Sequence, residues 1–229
     1  MEDPISNYSL LLPYLAPYIA YVGIGSLCSQ LPAEWNYSLR IVIVAAILIW
    51  AWGRYIPFTG PKRTIISAVW GLLGGLLGTV IWISLLIPFV GLDSDDWSPS
   101  AFYLRLFAAS LLVPVFEELL MRGYIFRIAY QWEMERKSNK EKALDRVLHD
   151  QSINNFIPGA WSKYAILVST IAFTLGHQVH EWPAAILYGS LIVLLWIKRK
   201  DLISCIVAHG TTNLTLGLYV YFTNHWELW

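Results

Sequence analysis

Seven apolar stretches follow one another along the chain, separated by polar segments. They cover residues 10–31, 39–53, 65–90, 106–130, 164–179, 184–197 and 202–222. A perpendicular membrane-spanning helix needs about 20 apolar residues, so the shorter stretches predict tilted or partly re-entrant helices. The pattern predicts an all-α, polytopic membrane helix bundle of about seven transmembrane helices, within a range of six to eight.

Composition agrees with a protein embedded in a lipid bilayer. The 229 residues are 56% hydrophobic and 14% charged, whereas a soluble domain has about 25% charged residues. The formal net charge is zero, and no basic run is interleaved with aromatic residues, which argues against a nucleic-acid partner. Cys28 and Cys205 lie in apolar segments without a metal-ligand spacing, so we interpret them as small apolar residues.

The loops divide by charge, and this division predicts the topology. Segments 54–63, 127–163 and 198–200 hold most of the basic residues, while Asp93, Asp95, Asp96 and the turn His180-Glu181 fall in alternate loops. Basic loops favour the cytoplasm, so the N-terminus is expected inside and the C-terminus outside. The N-terminus lacks the basic region of a signal peptide, so the first apolar stretch is expected to be retained.

Two further features are interpreted as structural. Segment 131–159 carries charges of mixed sign, which favours a solvated helical extension and loop over a binding site. Gly71, Gly74, Gly75 and Gly78 recur at spacings of three and four residues. Small residues at such spacings predict close packing between helices in lipid.

Three charged residues interrupt the fourth apolar stretch. A charge at the bilayer centre costs roughly 2.5 to 3.5 kcal/mol, so Glu117, Glu118 and Arg122 are expected to have a function. Glu118 and Arg122 are four residues apart and can pair on one helix face. Glu117 points about 100° away, and an unpaired carboxylate in a site of low dielectric constant is suited to moving a proton. Glu117 is therefore the candidate base, and the alternative is that all three form a buried ion network holding helices together.

Four polar residues on three helices share one depth in the membrane: Glu117, His177, His209 and Asn213. Counted from the predicted cytoplasmic helix ends, they lie about 13 to 21 Å into a core roughly 30 Å thick. We expect them to meet in one cavity that opens towards the cytoplasm. A carboxylate, two imidazoles and an amide suit hydrolysis by an activated water. His180 falls at a predicted outer turn and is expected to lie outside this site.

Other mechanisms find less support in the sequence. No Ser or Cys nucleophile with an adjacent base is apparent, and HExxH and the GxSG of rhomboid-type serine proteases are absent. A transporter or proton relay remains the main alternative, because intramembrane ionisable residues often serve that role. The small size of the chain and the lack of an inverted repeat argue against it. A catalytically silent scaffold is the third alternative.

Three motifs occur in order on successive helices: Glu117-Glu118-x-x-x-Arg122, Phe173-x-x-x-His177 and His209-x-x-x-Asn213. Together they resemble the motifs of the CAAX protease and bacteriocin-processing (CPBP, or Abi) family of intramembrane proteases. The resemblance extends from about residue 106 to the C-terminus and is greatest to bacterial members associated with exosortase systems. Residues 1–229 are thus expected to form one membrane-embedded protease domain, with accessory helices in 1–100 and motif-bearing helices in 101–229.

The resemblance implies a role for each motif residue. Glu117 and His177 would activate the attacking water, His209 and Asn213 would stabilise the oxyanion, and Glu118 with Arg122 would support them. It also implies an intramembrane endopeptidase that cuts near a membrane-anchored C-terminus. The implied partners are the lipid bilayer and a membrane-anchored or lipidated peptide, and the implied location is the bacterial inner membrane. CAAX-type members cut prenylated proteins, which bacteria generally lack, so that substrate is not transferred.

No cofactor is expected, but zinc remains an alternative. Glu117, His177 and His209 could ligate zinc and leave a fourth position open. Asn213 stands where a third strong ligand would be needed, which favours the metal-free glutamate mechanism.

Overall fold

The computed structural model describes residues 5–89, 97–138 and 141–229. Within these ranges the chain is all-α, as predicted, with eight helices and no β-strand. They are α1 (Asn7–Leu27), α2 (Ala33–Ala51), α3 (Thr64–Leu86), α4 (running without interruption from Pro99 to Lys137), α5 (Ala143–His149), α6 (Lys163–Leu175), α7 (Trp182–Arg199) and α8 (Leu202–Thr223). The predicted acidic loop at Asp93, Asp95 and Asp96, and residues 1–4, lie outside the described residues.

Helix α4 is a composite of α-helical and π-helical turns. Its segments are Pro99–Phe107 (α), Ala108–Leu112 (π), Val113–Glu118 (α), Leu119–Ile125 (π) and Phe126–Lys137 (α). Single π-helical turns inside α-helices are rare and occur frequently at functional sites. The acidic pair Glu117-Glu118 ends the short α segment between the two π turns, so both carboxylates leave the helix where its winding changes.

Four described helices are long and apolar enough to cross a membrane. They are Asn7–Leu27, Ala33–Arg54, Thr64–Phe89 and Val179–Arg199, two of which include a 3₁₀ turn at their C-terminal end and one at its N-terminal end. These helices support an integral membrane protein. The count of seven spans, the cytoplasmic N-terminus and the single-domain division stay predictions.

Helix α3 is apolar on its outside and lined with small residues on its inside. Leu73 is 59% exposed, whereas Gly71 and Gly75 are buried. A Cβ atom on Gly75 would come within 2.6 Å of the Ala208 carbonyl oxygen, and Thr212 Oγ1 donates to the Gly75 carbonyl at 2.9 Å. The predicted close packing is therefore confirmed, and it joins α3 to α8, which carries two site residues.

Segment 131–159 is docked onto the start of α1 and is less solvated than predicted. The fully buried Asn7 side chain donates to the Val147 carbonyl at 2.7 Å and to Gln131 Oε1 at 2.8 Å. Its oxygen accepts from the Ile153 backbone at 2.6 Å. Buried polar groups need such partners, and here one side chain supplies three of them. Val147 and Ile153 are themselves fully buried, which explains the docking of a segment that the charge pattern marks as soluble.

Candidate active site

Helices α4 and α8 bring Glu117 and His209 together inside the bundle. Glu117 Oε2 lies 3.9 Å from His209 Nε2, and the two side chains are 16% and 5% exposed. This separation exceeds a hydrogen bond but is close enough for both groups to contact one small molecule. Glu117 therefore faces a cavity with an imidazole at its side.

Glu118 connects the last helix with the buried arginine. Its Oε1 accepts a hydrogen bond from His209 Nδ1 at 3.0 Å, and its Oε2 lies 3.2 Å from Arg122 Nη1. Arg122 Nη2 also donates to the Gly189 carbonyl on α7 at 3.1 Å. Glu118 and Arg122 are fully buried, so their charges compensate each other inside the bundle. The predicted i,i+4 pair is present, and its contact with His209 is an addition that the sequence did not indicate.

His177 follows the C-terminal end of α6 and is fixed by that end. A carbonyl oxygen can only accept, so His177 Nδ1 donates to the Phe173 carbonyl at 2.8 Å. Its ring lies 4.6 Å from the Phe173 ring and 5.3 Å from the Trp82 ring. In the neutral imidazole this arrangement leaves Nε2 as the proton acceptor.

Asn213 is held by a carbonyl group that Pro114 leaves free. Asn213 Nδ2 donates to the Ala109 carbonyl at 2.7 Å. Ala109 lies in a π-helical turn, where the i+5 partner of its carbonyl would be the nitrogen of Pro114, which carries no hydrogen. Gly210 allows α8 to approach this turn closely, because a Cβ atom there would come within 2.5 Å of the Ser110 carbonyl oxygen.

One cavity of about 340 Å³ is lined by all four predicted site residues, Glu117, His177, His209 and Asn213. The structure thus brings together the four residues that were predicted to share one depth in the membrane. Their catalytic roles stay predictions. His180, expected outside the site, lines the same cavity.

Sequence reasoning missed the aromatic side chains of the cavity wall. Tyr188 is 1% exposed and its ring lies 5.9 Å from the rings of His209 and Trp82. Tyr188 also fills the space beside Gly78, where a Cβ atom would come within 2.4 Å of its ring. The glycine pattern was the available signal, because a missing side chain on α3 leaves room for a large one on a neighbouring helix.

The cavity and the basic loops lie at opposite ends of the bundle. Arg105, near the start of α4, lines the cavity together with Gln178 and Glu181 from the α6–α7 connection. The basic loops adjoin the other ends of these helices, as the hydrogen bond from Arg199 Nη2 to the Arg63 carbonyl shows. The sequence predicted that both the cavity opening and the basic loops face the cytoplasm. Because they lie at opposite ends of the bundle, only one of these two predictions can hold.

The described residues contain no group of three or more His, Cys, Asp or Glu side chains arranged to hold a metal ion. His209 already uses Nδ1 on Glu118, which leaves only Nε2 for any further ligand. Glu117, His177 and His209 are not arranged as such a group, and the choice between a metal-free and a zinc-assisted mechanism stays a prediction.

The family model described as type II CAAX prenyl endopeptidase Rce1-like matches residues 99–215, about half of the chain. No curated protein and no solved structure matches. The matched range contains every residue of the three motifs and ends within α8.

Proposed function

The chain belongs to the type II CAAX prenyl endopeptidase Rce1-like family, and from this membership and the cavity we propose that it is an intramembrane endopeptidase that cuts a membrane-anchored peptide with water activated by Glu117. The family match confirms the resemblance drawn from the three motifs. The exosortase-associated subgroup and the bacterial inner membrane stay predictions.

Water activation is assigned to Glu117 and His177. Glu117 takes a proton from a water molecule in the cavity, and the oxygen of that water attacks the peptide carbonyl carbon. His177 Nε2, the free acceptor of a ring fixed by the Phe173 carbonyl, holds the second proton of the water. When the tetrahedral intermediate collapses, the carbon–nitrogen bond breaks and the proton on Glu117 passes to the leaving amine.

Oxyanion stabilisation is assigned to Asn213 and His209. One N–H of the Asn213 amide is engaged by the Ala109 carbonyl, so the other is free to donate to the developing oxyanion. His209 Nδ1 already donates to Glu118, so Nε2 donates only when the ring is an imidazolium. The hydrogen bond to Glu118 stabilises that imidazolium. We therefore assign Glu118 the role of positioning His209, beyond pairing with Arg122.

One observation carries the proposal: Glu117 on α4 and His209 on α8 line one cavity, with their side-chain atoms 3.9 Å apart. A structural ion network alone would not need a cavity beside its carboxylate. A proton relay would need a polar path through the bundle, and the side of the site facing the basic loops is filled by fully buried Arg122, Phe126 and Phe173.

The test is cleavage of a membrane-anchored peptide by the purified protein in detergent, without an ion gradient. Detergent extracts of membranes from its own source supply candidate substrates, and new peptide termini are identified by mass spectrometry. Glu117→Gln keeps the shape of the side chain and removes the base, so turnover should fall about 100-fold or more with unchanged thermal stability. Glu141→Gln, at an exposed position, is the matched control and should cleave like the unaltered protein.

Two results would overturn the proposal. Equal cleavage by the unaltered protein and Glu117→Gln would exclude Glu117 as the base. Proton flux in liposomes that Glu117→Gln abolishes, together with no cleavage by either protein, would establish the transporter alternative.

A further inference from the structure

Positive charge is concentrated at one end of the bundle. The chain has 16 Lys and Arg residues, all of which are described except Lys140. Arg122 lies mid-helix, and Arg40 and Arg105 lie in the half that contains the cavity. The remaining twelve lie at the opposite end: Arg54, Lys62, Arg63, Arg127, Arg136, Lys137, Lys142, Arg146, Lys163, Lys198, Arg199 and Lys200.

Direct contacts join the separate basic segments into one end. Lys62 Nζ donates to the Lys198 carbonyl, linking the α2–α3 connection to the end of α7. The Leu202 backbone donates to the Phe58 carbonyl at 2.9 Å, which fixes the start of α8 to the same connection. Segment 127–163 reaches the same end, because a Cβ atom on its Gly159 would come within 2.5 Å of the Lys200 side chain. This surface is therefore a single basic face, formed by the connections α2–α3 and α7–α8 and by segment 127–163.

The cavity reaches the surface at the other end of the bundle. Glu117 and His209 lie at its deep end, and Gln178, His180 and Glu227 line it at the helix ends away from the basic face. Gln178 and His180 are exposed, whereas Glu117 and His209 are largely buried. Among the described residues, none of the basic face lines the cavity, so a substrate enters from the end opposite that face.

The charge distribution indicates on which side of the membrane the cavity opens. Lys and Arg in short loops favour the cytoplasmic side, and here they favour one face by twelve to two among the described residues outside the mid-membrane site. We propose that the catalytic cavity opens on the non-cytoplasmic side of the membrane, so that its substrate is a membrane-anchored polypeptide with its scissile bond on that outer side. The substrate class rests on the proposed endopeptidase activity, whereas the sidedness of the cavity does not.

A pair of serine-to-cysteine variants tests the sidedness independently of activity. Ser29, in the α1–α2 connection, is exposed at the cavity end, and Ser138, after α4, is exposed at the basic face. Each is replaced by Cys in a Cys28→Ala background, where Cys205 is fully buried and should not react. Spheroplasts are treated with a membrane-impermeant maleimide. Ser29→Cys should be labelled in intact spheroplasts, and Ser138→Cys only after permeabilisation. The reverse pattern, or equal labelling of both before permeabilisation, would overturn the proposal.

Cleavage then tests the substrate class. Two reporters carry the same peptide and membrane anchor, one with the peptide outside the membrane and one with it in the cytoplasm. The peptide is one that the purified protein cuts in detergent. Cleavage of the outside reporter alone, lost in Glu117→Gln, is the expected result, and cleavage of the cytoplasmic reporter alone would overturn the substrate class. If no peptide is cut even in detergent, the proposed function fails, while the labelling result still decides the sidedness.

Discussion

Glu118 and His209 lie 91 residues apart in sequence and are joined by a hydrogen bond of 3.0 Å from His209 Nδ1 to Glu118 Oε1. Arg122 contacts the same carboxylate from its own helix. Glu118 therefore has two functions that mutation can separate: it neutralises a buried guanidinium, and it fixes the orientation of an imidazole in the cavity.

Replacing Glu118 by leucine should damage both stability and activity. Breaking a buried ion pair leaves Arg122 uncompensated, at a cost of about 3 to 5 kcal/mol. His209 also loses its acceptor, and removal of a group that orients a functional side chain typically lowers activity about 10- to 100-fold, by analogy with metal-ligating histidines. Thermal unfolding and peptide cleavage measure the two effects.

The double variant Glu118→Leu with Arg122→Met distinguishes the two functions. Removing both charges should recover most of the loss in unfolding temperature, because the buried site tolerates an apolar pair of similar volume. Cleavage should stay low, because His209 remains without its acceptor. Recovery of full activity would show that Glu118 serves only to neutralise Arg122.

Pro114→Ala should weaken the site without weakening the helix. The new backbone N–H can bond to the Ala109 carbonyl and thus compete with Asn213 for its acceptor. Asn213 would then lose its fixed orientation. We expect turnover to fall by up to the roughly 100- to 1000-fold typical of a lost oxyanion donor, with an unchanged or higher unfolding temperature.

The Asn213→Ala background supplies the control for this prediction. If Pro114 acts through Asn213, then Pro114→Ala should reduce turnover much less in a protein that already lacks the amide. Equal fold-changes in both backgrounds would place the effect of Pro114 elsewhere in the cavity.

The sequence predicted the contacts that local helix geometry determines. Glu118 and Arg122 pair because four residues make about one helical turn, and the glycines of α3 pack closely because their spacing places them on one face. The contact between Glu118 and His209 depends on the rotation of α8 about its axis, which no local pattern encodes. Matched depth grouped Glu117 with His209 correctly. It could not give the direction in which the cavity opens, because that depends on which helix ends separate.

Pro114 is a sequence signal for the contact that Asn213 makes. Pro114 stands inside an apolar helix, where a missing N–H must leave a carbonyl group without its usual partner. The sequence alone does not name the group that satisfies this carbonyl, which here is an amide 104 residues away.

Gly75→Ala should separate α3 from α8 and lower stability. The added Cβ would come within 2.5 Å of Thr211 Cβ and 2.6 Å of the Ala208 carbonyl oxygen, so the backbones must move apart. Overpacking of this kind typically costs about 1 to 3 kcal/mol. Gly23→Ala is the matched control, because nothing lies within 4 Å of its Cβ position and alanine favours a helix. A lower unfolding temperature in both variants would contradict the packing explanation.

Asn7→Ala should release segment 131–159 from α1 while leaving the cavity intact. The change removes two donated hydrogen bonds and one acceptor, and it leaves the Val147 carbonyl and the Ile153 N–H buried without that partner. Each such group costs about 1 to 3 kcal/mol, which is enough to populate an undocked segment. Limited proteolysis should therefore cut between α4 and α6 faster than in the unaltered protein, with peptide cleavage by the enzyme largely retained.

Asn36→Ala is the control for this prediction. Asn36 donates to the Cys28 carbonyl at 2.8 Å near the other end of α1, so its loss should not expose this segment. Equal proteolysis of both variants would mean that the whole bundle has loosened and that Asn7 does not specifically dock the segment.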